Sequence, residues 1–220
     1  MLYLASNSPR RRQLLQFGGW KFHVVPAEID EQPLGRESPK DYVRRLAINK
    51  AYAAASSLVS GVIVAADTTV SDRNEKGESI LGKPVDAVDA ELMLRKLRGH
   101  THQVYTTVSI LCLDNQVLRS DSCSTEVLMR NYSDEEIVTY IASGDPFDKA
   151  GAYAIQHPGF HPVESVQGCF ANVMGLPICH LARNLIQLGI PTTADIPGSC
   201  RVELMYPCSI YDQVLKWGIE

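Results

Sequence analysis

The sequence predicts an α/β fold in which helices flank a mixed sheet. Segments of strand composition alternate with segments of helical periodicity along the chain. A continuous apolar run indicates a strand buried on both faces, and two long alternating segments indicate an antiparallel hairpin. Because 220 residues are many for one average domain and few for two, we expect one two-lobed domain at 1–190 and an extension of unknown role at 191–220.

The first third of the chain is predicted to alternate strands with helices. Residues 2–5 read as a short buried strand, and Pro9 opens a helix that Gly18-Gly19 ends. Residues 21–25 have strand composition. After an acidic loop, Ser38 caps a long helix whose end is rich in alanine, which indicates that it lies against a packed surface.

The central segment is predicted to contain a fully buried strand. Residues 62–66 are all apolar, and the run ends abruptly at Asp67, which we therefore place at the tip of the strand. A polar turn is expected at 72–77. A helix follows at 87–97 and ends before Gly99.

The remaining elements are a hairpin, a capped helix and a loop-rich segment. Residues 101–113 and 116–130 form the hairpin around Asp114-Asn115, and Ser133 with Glu136 forms a capping box. The later elements are a loop rich in Gly, Pro and His at 148–170, which contains a short strand at 163–166, and helices at 176–188 and 210–217.

Composition excludes several classes of protein. The formal net charge of −4 argues against a protein that holds a nucleic acid polymer through its phosphates. No apolar run is long enough for a membrane span and residues 1–4 do not resemble a signal peptide, so we expect a cytoplasmic protein without a membrane partner. The six cysteines lack CxxC or zinc-ribbon spacing, which favours reduced, mostly buried thiols.

The segment from Ser6 to Arg12 is a candidate phosphate site. A strand that runs through Ser-Asn-Ser into a helix presents backbone N–H groups and the positive end of the helix dipole, and Arg10 and Arg11 add guanidinium groups. The segment lacks the glycines and lysine of a Walker loop. An ordinary solvated helix start remains the alternative for this motif taken alone.

Acidic residues supply the candidate catalytic and metal-binding groups. Asp67 is the catalytic candidate, and with the acidic pair Asp30-Glu31 it offers oxygen ligands for Mg²⁺ or Mn²⁺. The alternatives are a capping aspartate and a solvated acidic loop. Lys50, Lys83 and Lys149 are candidates for neutralising phosphate, against the alternative of ordinary surface lysines.

The histidines give a weaker signal than these groups. His157 and His161 bracket Pro-Gly-Phe, but no third ligand at suitable spacing accompanies them, so we interpret them as loop residues. No Ser/His/Asp or Cys/His triad signature is present.

These segments form an ordered series from Leu2 to about Leu188. Its motifs are Leu4-Ala5-Ser6-Asn7-Ser8-Pro9-Arg10-Arg11, Asp30-Glu31, Tyr42-Val43-Arg44-Arg45-Leu46-Ala47 with Lys50-Ala51, Ala65-Ala66-Asp67-Thr68, Gly82-Lys83-Pro84, Leu94 to Gly99, Asp148-Lys149-Ala150-Gly151-Ala152-Tyr153-Ala154-Ile155-Gln156 and Val173-Met174-Gly175-Leu176-Pro177. The series resembles the Maf family of nucleoside triphosphate pyrophosphatases.

The resemblance implies an elongated fold with a central cleft between two lobes, a homodimer and a divalent metal. It implies hydrolysis of a nucleoside triphosphate between the α- and β-phosphates, with Asp67 as proton acceptor. Arg11, Thr68 and Gln156 match positions tied to substrate choice and are similar to the dTTP/UTP branch. An amide such as Gln156 can pair with the donor and acceptor of a pyrimidine edge.

Departures from the family pattern lie beside the expected base pocket. Ser143-Gly144-Asp145 replaces Thr-Gly-Glu, Ala154 replaces a glycine, and 157–161 replaces a glycine-rich loop. These changes bear on base choice more than on phosphate chemistry. The expected activity is therefore house-cleaning hydrolysis of dTTP, UTP or modified pyrimidine nucleotides; the alternatives are a 7-methyl-GTP pyrophosphatase and a non-catalytic nucleotide-binding inhibitor of septum formation.

Overall fold

The computed structural model describes residues 1–74 and 77–216. Within these residues, seven strands form one mixed sheet, in the order β2-β1-β3-β5-β6-β7 with β4 paired to β3. The strands are β1 (Leu2–Leu4), β2 (Phe22–Val24), β3 (Val62–Asn74), β4 (Gly77–Leu81), β5 (Thr101–Cys112), β6 (Val117–Met129) and β7 (Val163–Gln167). The predicted α/β fold with a mixed sheet is confirmed.

Helices cover both faces of this sheet. They are α1 (Pro9–Gln16), α2 (Pro39–Ala55), α3 (Ala87–Leu97), α4 (Asp134–Ala142), α5 (Phe170–Met174), α6 (Ile178–Gln187), α7 (Ile196–Glu203) and α8 (Tyr211–Lys216). Ser8, Ser38 and Ser133 cap α1, α2 and α4, and the capping box of α4 is formed. Helices α5 and α7 and the two 3₁₀ turns, Asp145–Asp148 and Ala150–Ala152, were not predicted.

Strand β3 is longer than the sequence predicts, and this corrects two expectations. Asp67 lies in the middle of β3 and not at its tip. The turn expected at 72–77 is shorter, because residues 72–74 continue β3 and pair with residues 77–79 of β4; residues 75 and 76 lie outside the described part of the chain. The strand continues because β5 pairs with it from Val62 to Ser71.

One edge of β3 has a gap at the position of Asp67. On that edge β1 pairs in parallel with 62–64, and β4 pairs in antiparallel fashion with 70–74. Neither ladder covers residues 65–69. Because of their directions, both β1 and β4 end at this gap, so Ser6 and Lys83 follow the two strand ends toward Asp67. Ligands of α/β sheets bind outside such carboxyl ends.

The two largest hydrophobic cores lie toward the two ends of the long strands. The larger core lies between α1, α5, α6 and one face of the sheet, where it includes Val64 and Ile110. Helix α2 covers the opposite face over Ile63 and Ala65, which confirms a strand buried on both sides. The second core joins α3 and α4 to Val70 and other residues farther along the strands. The gap in the sheet therefore lies between the two cores.

Two further features concern the cysteines and the length of the helices. All six cysteines are free, and Cys123, Cys169, Cys179 and Cys200 are buried. Among the residues that the structure describes, no helix is both long and apolar enough to span a bilayer.

Candidate active site

A cleft of about 560 Å³ opens at the gap beside β3. This volume is within the range of pockets that hold small-molecule ligands. Ten of the candidate residues from the sequence line it: Ser6, Arg10, Arg11, Glu31, Lys50, Asp67, Thr68, Lys83, Lys149 and Gln156.

Alternating charges connect the acidic residues of the cleft. The Lys50 ammonium lies 2.5 Å from Asp67 Oδ1 and 2.7 Å from Glu31 Oε1, and Lys83 Nζ lies 3.1 Å from Glu31 Oε2. Lys50 reaches this position because it occupies the buried face of α2, which packs on β3. Within the described residues, only Oδ1 of the Asp67 carboxylate has a hydrogen-bond donor. Asp67 Oδ2 is therefore available to a ligand or a water molecule.

Burial and neighbouring charges shift the pKa values of Asp67 and Glu31 in opposite directions. Asp67 is 6% exposed, and this burial raises its pKa, although Lys50 and Arg11 oppose the shift. Partial burial also disfavours the Glu31 anion, but the ion pairs with Lys50 and Lys83 outweigh it and lower the Glu31 pKa to about 2. Asp67 is thus the stronger proton acceptor of the pair.

The start of α1 forms the wall next to β1. Its N–H groups are less free than predicted, because Ser8 Oγ accepts the Arg11 amide at 3.4 Å and Ser6 Oγ accepts the Ser8 amide at 3.2 Å. Arg10 is half-buried and its guanidinium lies 3.4 Å from Asp148 across the cleft. The cationic side chains of α1 therefore contribute more to this wall than its backbone does.

Arg11 connects α1 to the sheet. Its Nε donates to Gly175 O at 2.8 Å, and its guanidinium also donates to Thr68 Oγ1 at 3.1 Å and to Ser6 Oγ at 3.4 Å. Burial lowers the pKa of Arg11, against the nearby Asp67 charge. Gly175 has a φ of 111°, and a Cβ there would come within 3.3 Å of Arg11 Nε. A side chain at this position would therefore disturb the arginine.

The segment 145–152, which contains both 3₁₀ turns and is called the 3₁₀ segment, supplies the far wall. Lys149 is buried, and its ammonium donates to Asp145 Oδ1 at 2.9 Å and to Asp148 Oδ1 at 2.6 Å, so neighbouring carboxylates already neutralise its charge. Gln156 is exposed in the cleft. Tyr153 also lines the cleft, and its hydroxyl lies 2.8 Å from Nε2 of the buried His102.

Comparison with known proteins gives a consistent result. The family described as Maf-like protein matches residues 1–188. The chain belongs to the Maf family. One similar relative, from Geobacter sp. (strain M21), is named dTTP/UTP pyrophosphatase and is 46% identical over 86% of this chain and 95% of its own length. A relative of the same name from Bacillus cereus is 42% identical over 87% of this chain and 92% of its own length. A relative of the same name from Thermomicrobium roseum is 47% identical over 95% of both chains.

The last of these relatives bears on the C-terminal extension of this Maf protein. The family match ends at residue 188, whereas the Thermomicrobium alignment covers 214 residues and therefore includes most of 191–220. Residues 191–220, whose role the sequence does not indicate, therefore have a counterpart in at least one relative.

Several acidic, basic and histidine side chains that the sequence offers lie outside the Maf cleft. Arg12 is exposed and donates to Asn7 O at 3.3 Å, and Asp30 is exposed and accepts the Gln32 amide at 2.9 Å. His157 Nδ1 accepts the Phe160 amide at 2.9 Å, which agrees with its interpretation as a loop residue. None of the three lines the cleft.

Three residues that support the site were not predicted from the sequence. Tyr42 donates its hydroxyl to Glu31 O at 2.8 Å and so fixes the acidic loop, and the buried Thr106 and Asn172 lie behind Thr68. Tyr42 belongs to the family motif, but nothing in its spacing indicates the contact. Thr106 is one hydroxyl residue among many in a β-rich segment, so the sequence carries no signal for it.

Proposed function

We propose that this Maf protein is a nucleoside triphosphate pyrophosphatase that hydrolyses dTTP, UTP or modified pyrimidine nucleotides to the monophosphate and pyrophosphate. The observation that carries the proposal is a buried carboxylate, Asp67, facing a cleft whose other charged groups include Arg10, Arg11, Lys50 and Lys83. The names of the relatives support the choice of nucleotide. A house-cleaning role in a cytoplasmic homodimer is part of the proposal.

The cationic groups are suited to the triphosphate. Lys83 is exposed at the mouth of the cleft, and Arg10 lies on the opposite wall. Guanidinium and ammonium groups at fixed positions bind phosphate oxygens and hold the reacting bond in place. Arg10 exchanges its exposed partner Asp148 for phosphate in this scheme, which costs little because exposed ion pairs contribute little stability.

Asp67 is suited to accept a proton from the attacking water. Lys50 holds Oδ1, which fixes the orientation of the carboxylate, and within the described residues Oδ2 has no hydrogen-bond donor. Burial raises the pKa of this carboxylate in the metal-free cleft, which favours proton uptake relative to an exposed aspartate. Water bound at Oδ2 is thereby oriented for attack on the α-phosphate.

The carboxylates of Glu31 and Asp67 are suited to a hard divalent cation. Asp67 Oδ1 and Glu31 Oε1 already converge on one cation, the Lys50 ammonium. No group of three candidate ligands occurs among the described residues, and Mg²⁺ is commonly held by only one or two carboxylates with water and substrate phosphates. We propose that Glu31 and Asp67 hold Mg²⁺ or Mn²⁺, which supplies positive charge to the phosphate oxygens when bound.

Pyrophosphate release from dTTP and UTP in the presence of Mg²⁺ or Mn²⁺ tests the function. We expect Asp67→Asn to lower kcat at least about 100-fold, the usual contribution of a positioned base. Asp72→Asn is the matched control, since Asp72 is also buried in β3 but pairs with Lys96 at 3.0 Å and does not line the cleft. Release of orthophosphate alone, or nucleotide binding without turnover, would contradict the proposal.

A further inference from the structure

The hydroxyl groups of Thr68 and Thr106 form a hydrogen-bonded chain that ends on a fixed carbonyl. Thr106 Oγ1 donates to Asn172 O at 2.8 Å, and Thr68 Oγ1 lies 2.9 Å from Thr106 Oγ1. Arg11 donates to Thr68 Oγ1 at 3.1 Å. Thr68 lines the cleft, whereas Thr106 is fully buried behind it.

The proton positions in this chain follow from counting donors. A threonine hydroxyl carries one hydrogen and two lone pairs. The backbone carbonyl of Asn172 can only accept a hydrogen bond. Thr106 therefore donates its one hydrogen to this carbonyl and must accept a hydrogen bond from Thr68. Thr68 therefore directs its hydrogen inward and accepts from Arg11, and one lone pair is its only remaining hydrogen-bonding capacity.

The carbonyl at the end of the chain is held in place. The Asn172 side chain donates to Val104 O at 3.0 Å and to Thr125 Oγ1 at 2.9 Å, and the residue is fully buried. The backbone carbonyl of Asn172 also accepts a hydrogen bond from the Gly175 amide at 3.0 Å. Because the acceptor cannot turn away, the direction of the whole chain is fixed before any ligand enters.

We propose that Thr106 is a positioning residue that makes Thr68 a permanent hydrogen-bond acceptor and so favours uracil and thymine over cytosine. This inference rests on the proposed function, with Thr68 facing the base. Uracil and thymine carry an N3–H donor, whereas N3 of cytosine is an acceptor and would face the lone pair of Thr68. An unpaired polar group in a binding site lowers affinity for the wrong ligand.

The ratio of kcat/KM for UTP to that for CTP tests the inference, because these nucleotides differ only at N3 and C4 of the base. Thr106→Val keeps the shape of the side chain and removes the acceptor of the Thr68 hydrogen, which can then turn toward the cleft. The Asn172 carbonyl still has the Gly175 amide. We expect the ratio to fall about tenfold, the value of one hydrogen bond.

Two further variants separate positioning from a structural role. Thr106→Ser restores the hydroxyl and should restore the ratio. Thr107→Val makes the same change one residue along β5, where the buried hydroxyl pairs with Ser122 on the opposite face at 2.8 Å, and should leave the ratio unchanged. A purely structural role of Thr106 would lower activity toward both nucleotides by the same factor.

The ratio of the dissociation constants of CMP and UMP measures the same discrimination between the two bases without turnover. This keeps the test valid if no pyrophosphate is released, a result that would contradict the proposed function alone. An unchanged ratio in Thr106→Val, an equal loss for both bases, or a wild type that does not distinguish UMP from CMP would each overturn the inference.

Discussion

Lys50 holds two carboxylates of the site together through one ammonium group. Asp67 and Glu31 would repel each other without it, and the lysine is itself only 8% exposed. Burying these charges is costly unless they are paired. Lys50 neutralises both carboxylates at once, which allows two acidic side chains to stay close together in the cleft.

The opposite pKa shifts of Glu31 and Asp67 predict how stability of the metal-free protein depends on pH. Between about 2 and 4.5 the unfolded state binds more protons at Glu31, so stability falls as the pH is lowered through this window. Asp67 has a pKa raised above 3.8 by burial, so between 3.8 and its folded-state value the native state binds more protons and stability falls as the pH rises.

The loss of stability with rising pH that comes from Asp67 should be absent from the Asp67→Asn variant. Urea unfolding of the two proteins in EDTA, from about pH 4 to 7, is the measurement. We expect wild type to lose stability relative to the variant as the pH rises. Parallel pH profiles would contradict the assignment of the shift to Asp67.

At the scale of elements, the sequence predicts most strands and helices but not how far each continues. Residues 67–69 are polar, and locally they end an apolar run; β3 continues because β5 supplies ladder partners that are distant in sequence. Helices α5 and α7 are only five and eight residues long. The residues of the site were predictable because they form an ordered set of motifs, whereas the gap that brings them together depends on sheet register.

Gly151 is the backbone position at which the 3₁₀ segment touches β3. Its φ is +69°, its amide donates to Gly82 O at 3.0 Å, and an added Cβ would lie 2.8 Å from Val70 Cγ2. Only a residue without a side chain fits both the backbone conformation and the contact.

We therefore expect Gly151→Ala to destabilise the protein more than Gly144→Ala does. Gly144 also has a positive φ, +77°, but open space surrounds it, so alanine there costs only the strain of the left-handed backbone, about 1–2 kcal/mol. At Gly151 the clash adds about 1–3 kcal/mol. Equal melting temperatures of the two variants would show that the segment yields without cost.

At the scale of the whole molecule, the extension is part of the main hydrophobic core. Ile196, Cys200 and Val214 are buried in the larger core, and Tyr206 donates its hydroxyl to Val166 O at 2.8 Å. Its polar, proline-containing composition left the role of residues 191–220 unassigned in the sequence. The apolar residues of the extension are too widely spaced to show from sequence alone that they share a surface with α6.

Ile196→Ala should therefore behave as a core substitution. Ile196 is 2% exposed, and truncating a buried isoleucine costs about 2–5 kcal/mol. Met205→Ala, in the same extension but 89% exposed, should change the free energy of unfolding by less than about 0.5 kcal/mol. Chemical denaturation measures the free energy of unfolding of both variants. Equal changes in the two variants would show that the extension contributes nothing to the core.

Strands β3, β5 and β6 run without interruption from one core to the other. A triple ribbon of paired strands is far stiffer than a single peptide linker, so the regions around the two cores are unsuited to the hinge closure seen where domains meet at a few flexible residues. Asp67 and Thr68 lie on the spine of this ribbon. Adaptation to a ligand in the cleft then falls to peripheral segments such as the Glu31 loop, while Asp67 and Thr68 keep a constant spacing.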